Sequence, residues 1–162
     1  MDHGQRTLDG RFVPSMRAFI LVGLSVLIQV VIGRAVSSPW FVPDVALALL
    51  VVMMARLRAR RLELAAFAAL LAALFSMRHP VLVAGAYLAV AACVGMLGSM
   101  WDLAEPSLLR LAVGAAETLW LLACLAADRG TISMMGFVGV RVFLTLMCLP
   151  VLKKLSGLVA DA

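Results

Sequence analysis

The chain has 162 residues, of which 64% are hydrophobic and only 14% charged, and its mean hydropathy is +1.07. A soluble domain of this length covers its surface with charged side chains, so the composition excludes a water-soluble globular protein and predicts an all-α integral membrane protein. The net charge of +5 does not indicate nucleic-acid binding. The basic residues stand at the ends of apolar runs and not in a stripe with interleaved aromatic residues.

The first predicted transmembrane helix runs between Arg17 and Arg34, which enclose sixteen uncharged residues. With long basic side chains at both ends, such a stretch just spans a hydrocarbon core about 30 Å thick. Residues 1–16 are polar and are predicted to form a cytoplasmic tail. Gln29 is the strongly polar residue inside this helix, and it indicates either a helix contact or a ligand site.

The second predicted helix begins near Pro43. Residues 35–43 combine prolines, serines and an aromatic pair, which predicts a turn at the level of the lipid headgroups. Pro43 suits the first helical position because it has no N–H to leave unpaired, and the Asp44 carboxylate suits the positive end of the helix dipole. The apolar run then continues to Arg56.

Four arginines follow within six positions, namely Arg56, Arg58, Arg60 and Arg61. Cytoplasmic loops carry an excess of basic residues, so this loop is predicted to lie in the cytoplasm. The third predicted helix runs from Leu62 to Met77, with an uninterrupted apolar core of fourteen residues. A core this short spans only if its flanks sit at the interfaces or the bilayer thins, so a re-entrant pair of the second and third segments is an alternative.

Three further helices are predicted, over Pro80–Trp101, from Pro106 to about Ala127, and over Ile132–Leu152. The first of these is rich in alanine and glycine, which lets neighbouring backbones approach closely, and it is therefore predicted to be central. The transmembrane domain is predicted to span residues 17–152, and residues 153–162 to form a second cytoplasmic tail.

The basic residues also predict the topology. With six crossings and both termini in the cytoplasm, three basic residues fall on the outer side, Arg34, Arg78 and Arg129, and Arg141 lies within the membrane. Ten fall on the cytoplasmic side: Arg6, Arg11, Arg17, Arg56, Arg58, Arg60, Arg61, Arg110, Lys153 and Lys154. This asymmetry favours six helices with both ends inside, because an odd number would put a basic cluster on the wrong face.

Two ionisable residues lie in the middle of predicted spans, Glu117 in the fifth and Arg141 in the sixth. A charge at that depth costs about 2.5–3.5 kcal/mol on insertion scales and is seldom kept without a partner. The two helices are consecutive and antiparallel, and the residues fall at similar depths. They are predicted to pair with each other or to dock a charge on a partner helix; a substrate or proton pathway is the functional alternative.

The sequence contains no motif that indicates catalysis. There is no zinc-protease signature, no nucleophile elbow and no glycine-rich phosphate loop. His79 has no second ligand at metal spacing, and the three cysteines lie in apolar runs without close pairs. The prediction is a protein that is not an enzyme, with no catalytic, cofactor or metal site.

The opening of the second helix carries a family resemblance. Phe41-x-Pro43-Asp44, the apolar run VALALLVVMMA and the basic loop after it, in a chain of this length and predicted topology, resemble MreD, the membrane subunit of the bacterial rod-shape elongation machinery. The resemblance implies the inner membrane of a bacterium and a non-enzymatic scaffold in cell shape and peptidoglycan synthesis.

The resemblance also implies partners and a fold. The scaffold would bind a helix of MreC and help couple the MreB filament to the RodA glycosyltransferase and its transpeptidase. The fold of that family is similar to the substrate-binding subunit (S-component) of energy-coupling-factor vitamin transporters, so a small-molecule transporter subunit is the alternative function. An accessory subunit of a large membrane complex is a third possibility.

Overall fold

The computed structural model describes residues 6–36, 42–76, 80–103, 105–127 and 135–160. In these ranges the chain forms helices joined by short connections, without strands, as the composition predicts. The helices are α1 (Arg6–Ala35), α2 (Val45–Arg56), α3 (Arg61–Phe75), α4 (Pro80–Met100), α5 (Pro106–Ala127) and α6 (Met135–Ala160), and a 3-10 turn (Arg58–Arg60) joins α2 to α3.

The outer helices are longer than predicted. Helix α1 begins at Arg6, within the predicted tail 1–16, and α6 continues to Ala160, past the predicted end at Leu152. Both helices therefore extend beyond the predicted transmembrane domain 17–152. Hydropathy marks where a helix leaves the hydrocarbon core, and the backbone hydrogen bonds continue beyond that level. The apolar part of α1 starts at Met16, close to the predicted start.

Four of the helices are long and apolar enough to cross a membrane, which indicates a multi-pass membrane protein. Their candidate spans are Met16–Ala35, Pro80–Met100, Pro106–Leu125 and Gly136–Gly157. Helix α2 has 12 residues, about 18 Å of helix at 1.5 Å per residue, and α3 has 15 residues. By length, neither α2 nor α3 covers a core about 30 Å thick on its own.

The residues at the start of α2 lie beside Gln29 of α1, and not beside the C-terminal end of that helix. The N–H of Val45 donates to Oε1 of Gln29 at 3.2 Å, and Gln29 stands six residues before the end of α1, about 9 Å along the helix axis. Val42 and Asp44 are buried there. Residues 42 and 43, which form the last part of the predicted headgroup-level turn over 35–43, thus pack against the helix bundle; residues 37–41 lie outside the described ranges.

Helix α2, and not α4, occupies the centre of the fold. Every residue from Ala46 to Met54 is buried, and α2 packs against each of the other five helices. A helix that is apolar on all sides is stable when it is surrounded by protein, which explains its position. The prediction of a central fourth helix is wrong: only one side of α4 is buried, and a Cβ added at Gly85 or Gly95 would meet nothing within 4 Å.

Candidate functional site: a buried charge cluster and its cavity

The structure brings the two predicted intramembrane charges together. Nε of Arg141 donates to Oε1 of Glu117 at 2.8 Å. Glu117 is completely buried, and Arg141 is 9% exposed. The contact joins α5 to α6, two antiparallel neighbours on which these residues fall at one level. Because the pair is screened from water, its mutual attraction offsets part of the cost of burying both charges.

A third charged residue, Asp44, completes this group. Nη2 of Arg141 donates to Oδ2 of Asp44 at 3.2 Å, and Asp44 is 3% exposed. One guanidinium thus bridges two carboxylates from different helices. We call Asp44, Glu117 and Arg141 the charge cluster. It ties the start of α2 to the middle of α5 and to the first third of α6.

The charge cluster also holds the N-terminus of α2, whose backbone N–H groups have no partner within the helix. Asp44 is its N-cap, and Oδ1 accepts from the N–H of Leu47 at 2.9 Å. The N–H of Asp44 donates to Oγ1 of Thr145 at 3.0 Å, and the N–H of Val45 to Gln29 as described above. Side chains from α1 and α6 therefore accept the hydrogen bonds that water would accept at an exposed helix end.

Pro43 and Asp44 were predicted to lie at the start of the second helix. In the structure they lie directly before its first residue. The helix begins at Val45, so Pro43 precedes the N-cap and does not occupy the first helical position. Asp44 has a non-helical backbone, with φ −85° and ψ 79°. The short carboxylate side chain competes successfully for the first free N–H groups, which places the cap one residue after the proline.

A cavity of about 340 Å³ opens beside the charge cluster. It lies among the last turns of α1, α3 and α5 and the beginnings of α2 and α4, at the end of the molecule opposite the arginine-rich turn. Its polar and aromatic lining includes Gln29, Asp44, Tyr87, Trp120 and Arg141. Tyr87 and Trp120 meet edge to face with their ring centroids 6.1 Å apart, so one wall of the cavity is aromatic.

The four arginines of the predicted basic loop surround the other end of α2. Nη2 of Arg56 donates to the backbone oxygen of Lys153 at 3.3 Å, Nη2 of Arg58 to Oδ1 of Asp102 at 2.8 Å, and Nε of Arg61 to the backbone oxygen of Met54 at 2.8 Å. Arg60 lies 3.7 Å from Glu63. Arg61 thereby satisfies a carbonyl in the last turn of α2.

The sequence reasoning found part of this site and missed another part. It placed Asp44 at a helix end but did not connect it with Arg141, and it assigned no contact to Thr145. Asp44 carried a usable signal, since it is a carboxylate directly before a long apolar run, as costly to bury as Glu117. Thr145 gave no sequence signal of this contact, because single hydroxyl groups are common in apolar helices.

Comparison with known proteins supplies no template for this site. No protein-family model matches the chain, and neither a curated protein nor a solved structure matches it.

Proposed function

We propose that this protein is a non-enzymatic scaffold in the inner membrane of a bacterium, of the kind that the resemblance to MreD implies, and that it docks the helix of an MreC-type partner. The observation that carries the proposal is the charge cluster. Arg141 binds both Asp44 and Glu117, and the two contacts fix three helices in one arrangement. A scaffold needs a fixed arrangement, because its surface must match that of its partner before they meet.

The apolar centre of the molecule agrees with this role. From the charge cluster to the arginine-rich turn, α2 is a continuous column of buried apolar residues, Ala46–Met54. A pathway for a polar substrate or a proton needs polar side chains or water along its length. In the described residues the buried charges are confined to the charge cluster at the start of α2. The rest of α2 up to Met54 is packed by apolar side chains.

The six-crossing topology is part of the same proposal, and contacts at the basic end support it. Arg56 at the end of α2 contacts the backbone of Lys153 near the end of α6, and Arg58 contacts Asp102 just after α4. The ends of α2, α4 and α6 therefore lie on one side of the molecule. This is the arrangement that six crossings with both termini in the cytoplasm require.

The surface proposed for docking is the open side of α4. Gly85, Ala89 and Ala92 are exposed and follow one another at helical spacing, and the adjacent Gly95 also has free space around it. Small residues on one side of a membrane helix let a second helix approach closely, so that van der Waals contacts and Cα–H bonds form along its length.

Affinity purification of the tagged protein from gently solubilised native membranes, followed by mass spectrometry, tests the proposal. MreC-type and RodA-type proteins are expected to co-purify. The variant Ala89→Leu puts a large side chain into the open side of α4 and should lose the MreC-type partner. Ala115→Leu, the same change at an exposed position of α5, is the control and should retain it. Absence of such a partner from the wild-type purification refutes the scaffold, and equal retention of it by Ala89→Leu refutes the docking surface.

The cavity favours one second candidate, the substrate-binding subunit of a small-molecule transporter. A volume of about 340 Å³ lies within the range of small-ligand sites, which combine aromatic walls with a few polar groups. In this case purification would recover ATPase subunits, and a small molecule would raise the melting temperature of the purified protein through mass action. Trp120→Ala, which removes the aromatic wall, would abolish that rise.

A further inference from the structure

A second hollow, separate from the charge cluster, lies between the beginning of α5 and the end of α6. It has a volume of about 250 Å³ and is lined by Pro106, Leu109, Arg110, Leu149, Pro150 and Lys153. Arg110 enters from the first turns of α5 and Lys153 from the last turns of α6. The hollow thus stands at the same end of the molecule as the arginine-rich turn, beside the last part of the candidate span Gly136–Gly157.

The two cations in this hollow have no acidic partner in the described part of the chain. The ion pairs formed there use Arg58, Arg60 and Arg141, and neither Arg110 nor the ammonium group of Lys153 takes part in one. Two like charges that face one space repel each other, and an anion between them removes that repulsion. The beginning of α5 adds the positive end of a helix dipole to the same space.

The rest of the lining is apolar, and this decides what kind of anion fits. Leu109 and Leu149 are buried, and Pro150 presents its ring to the hollow. A free phosphate ion would be hydrated on every side and would gain nothing from these walls. A phospholipid matches both kinds of lining. Its phosphate binds the two cations, and its glycerol and acyl groups contact the apolar walls. Basic pockets between membrane helices near the cytoplasmic surface are suited to such headgroups.

We propose that this hollow is a binding site for one anionic phospholipid of the surrounding leaflet, whose phosphate lies between Arg110 and Lys153. The glycerol backbone then rests on Leu149 and Pro150, and the acyl chains follow the outer surface of α6. The bound lipid bridges the first turns of α5 and the last turns of α6. The site does not depend on whether the protein is a scaffold or a transporter subunit.

Native mass spectrometry of the full-length purified protein tests the site, with phosphatidylglycerol, phosphatidylcholine and inorganic phosphate as probes. The wild type should retain one phosphatidylglycerol in preference to phosphatidylcholine. Arg110→Gln and Lys153→Gln should each lower that retention about fivefold, and the double variant more strongly, because each basic side chain near a membrane surface contributes a factor of about this size.

Lys154→Gln is the matched control, since it removes the same charge from the next position, which is exposed and does not line the hollow. It should retain the lipid as the wild type does. Arg110→Lys keeps the charge and should restore most of the binding, which separates lost lipid affinity from a failure to fold. Equal losses in Lys154→Gln and Lys153→Gln, equal retention of phosphatidylcholine, or displacement of the lipid by millimolar phosphate would each overturn the proposal.

Discussion

At its N-terminus α2 is held by half-buried Gln29 of α1 and by buried side chains of α6, whereas at its C-terminus it contacts arginines that are partly exposed. Asp44 and Glu117 are almost inaccessible, but the side chains of Arg58 and Asp102 are 56% and 71% exposed. Both ends of α2 therefore contact charged side chains, but in different surroundings. Buried partners have no water to replace them, so each contact at the N-terminal end is expected to matter more than a contact at the C-terminal end.

The largest effect is expected for Arg141→Gln. This change leaves Asp44 and Glu117 buried without their shared cation, and it should lower the free energy of unfolding by about 3–5 kcal/mol, the usual cost of breaking a buried ion pair from one side. Thermal or denaturant unfolding of the purified protein in detergent measures it.

Replacing both partners of the closest pair sharpens this test. In Glu117→Gln/Arg141→Gln the uncompensated charge at position 117 is gone, so the double variant should be less destabilised than the sum of the single changes, by about 0.5–3 kcal/mol. If the single effects simply add, the contact between Glu117 and Arg141 contributes nothing to stability.

The next effect is expected for Thr145→Val, which removes the acceptor of the Asp44 N–H. An unsatisfied buried donor costs about 1–3 kcal/mol, and the side chain keeps nearly the same volume. Thr118→Val is the matched control, because the hydroxyl of Thr118 donates to the carbonyl of Gly114 in its own helix at 2.7 Å and, within the described ranges, forms no hydrogen bond to another helix. Both variants are compared by the same unfolding measurement; equal losses would show that Thr145 does no more than Thr118.

A smaller effect is expected at the C-terminal end for Gly98→Ala. A Cβ at this position would stand 2.6 Å from Nη2 of Arg61, whose Nε holds the last turn of α2. The guanidinium can shift, so the expected loss is about 1 kcal/mol, at the low end for an overpacked site. Gly95→Ala has free space and should be neutral or slightly stabilising, because alanine favours the helix. A loss of equal size in Gly95→Ala would locate the effect in the backbone of α4.

The same contrast explains how much the sequence could predict. Glu117 and Arg141 were identifiable because an ionisable residue in an apolar run needs a partner, and the spacing of two antiparallel helices put them at one depth. The bounds of α5 followed from Pro106 and the length of the apolar run. These features depend on the chain within one or two helices, where the helical rise fixes positions.

The features that the sequence did not predict depend on contacts between distant segments. The place of the start of α2 beside α1 and α6 is fixed by Gln29 and Thr145. These residues lie 16 and 101 positions in the sequence from the backbone groups that they bind. The central position of α2 depends on how five helices surround it, and residue size in α4 alone could not decide that. The ends of α1 and α6 lie outside the apolar spans, where hydropathy carries no information about helix length.

The smallest effect is expected for the exposed contact between Arg58 and Asp102. Arg58→Ala, Asp102→Ala and the double variant should each change the free energy of unfolding by about half a kcal/mol or less, because exposed ion pairs gain little over hydration and lose side-chain freedom. The double-mutant cycle measures their coupling, which should decrease further as salt is raised. A coupling as large as that of Glu117 with Arg141 would contradict the comparison, since it would mean that exposure does not distinguish the two ends of α2.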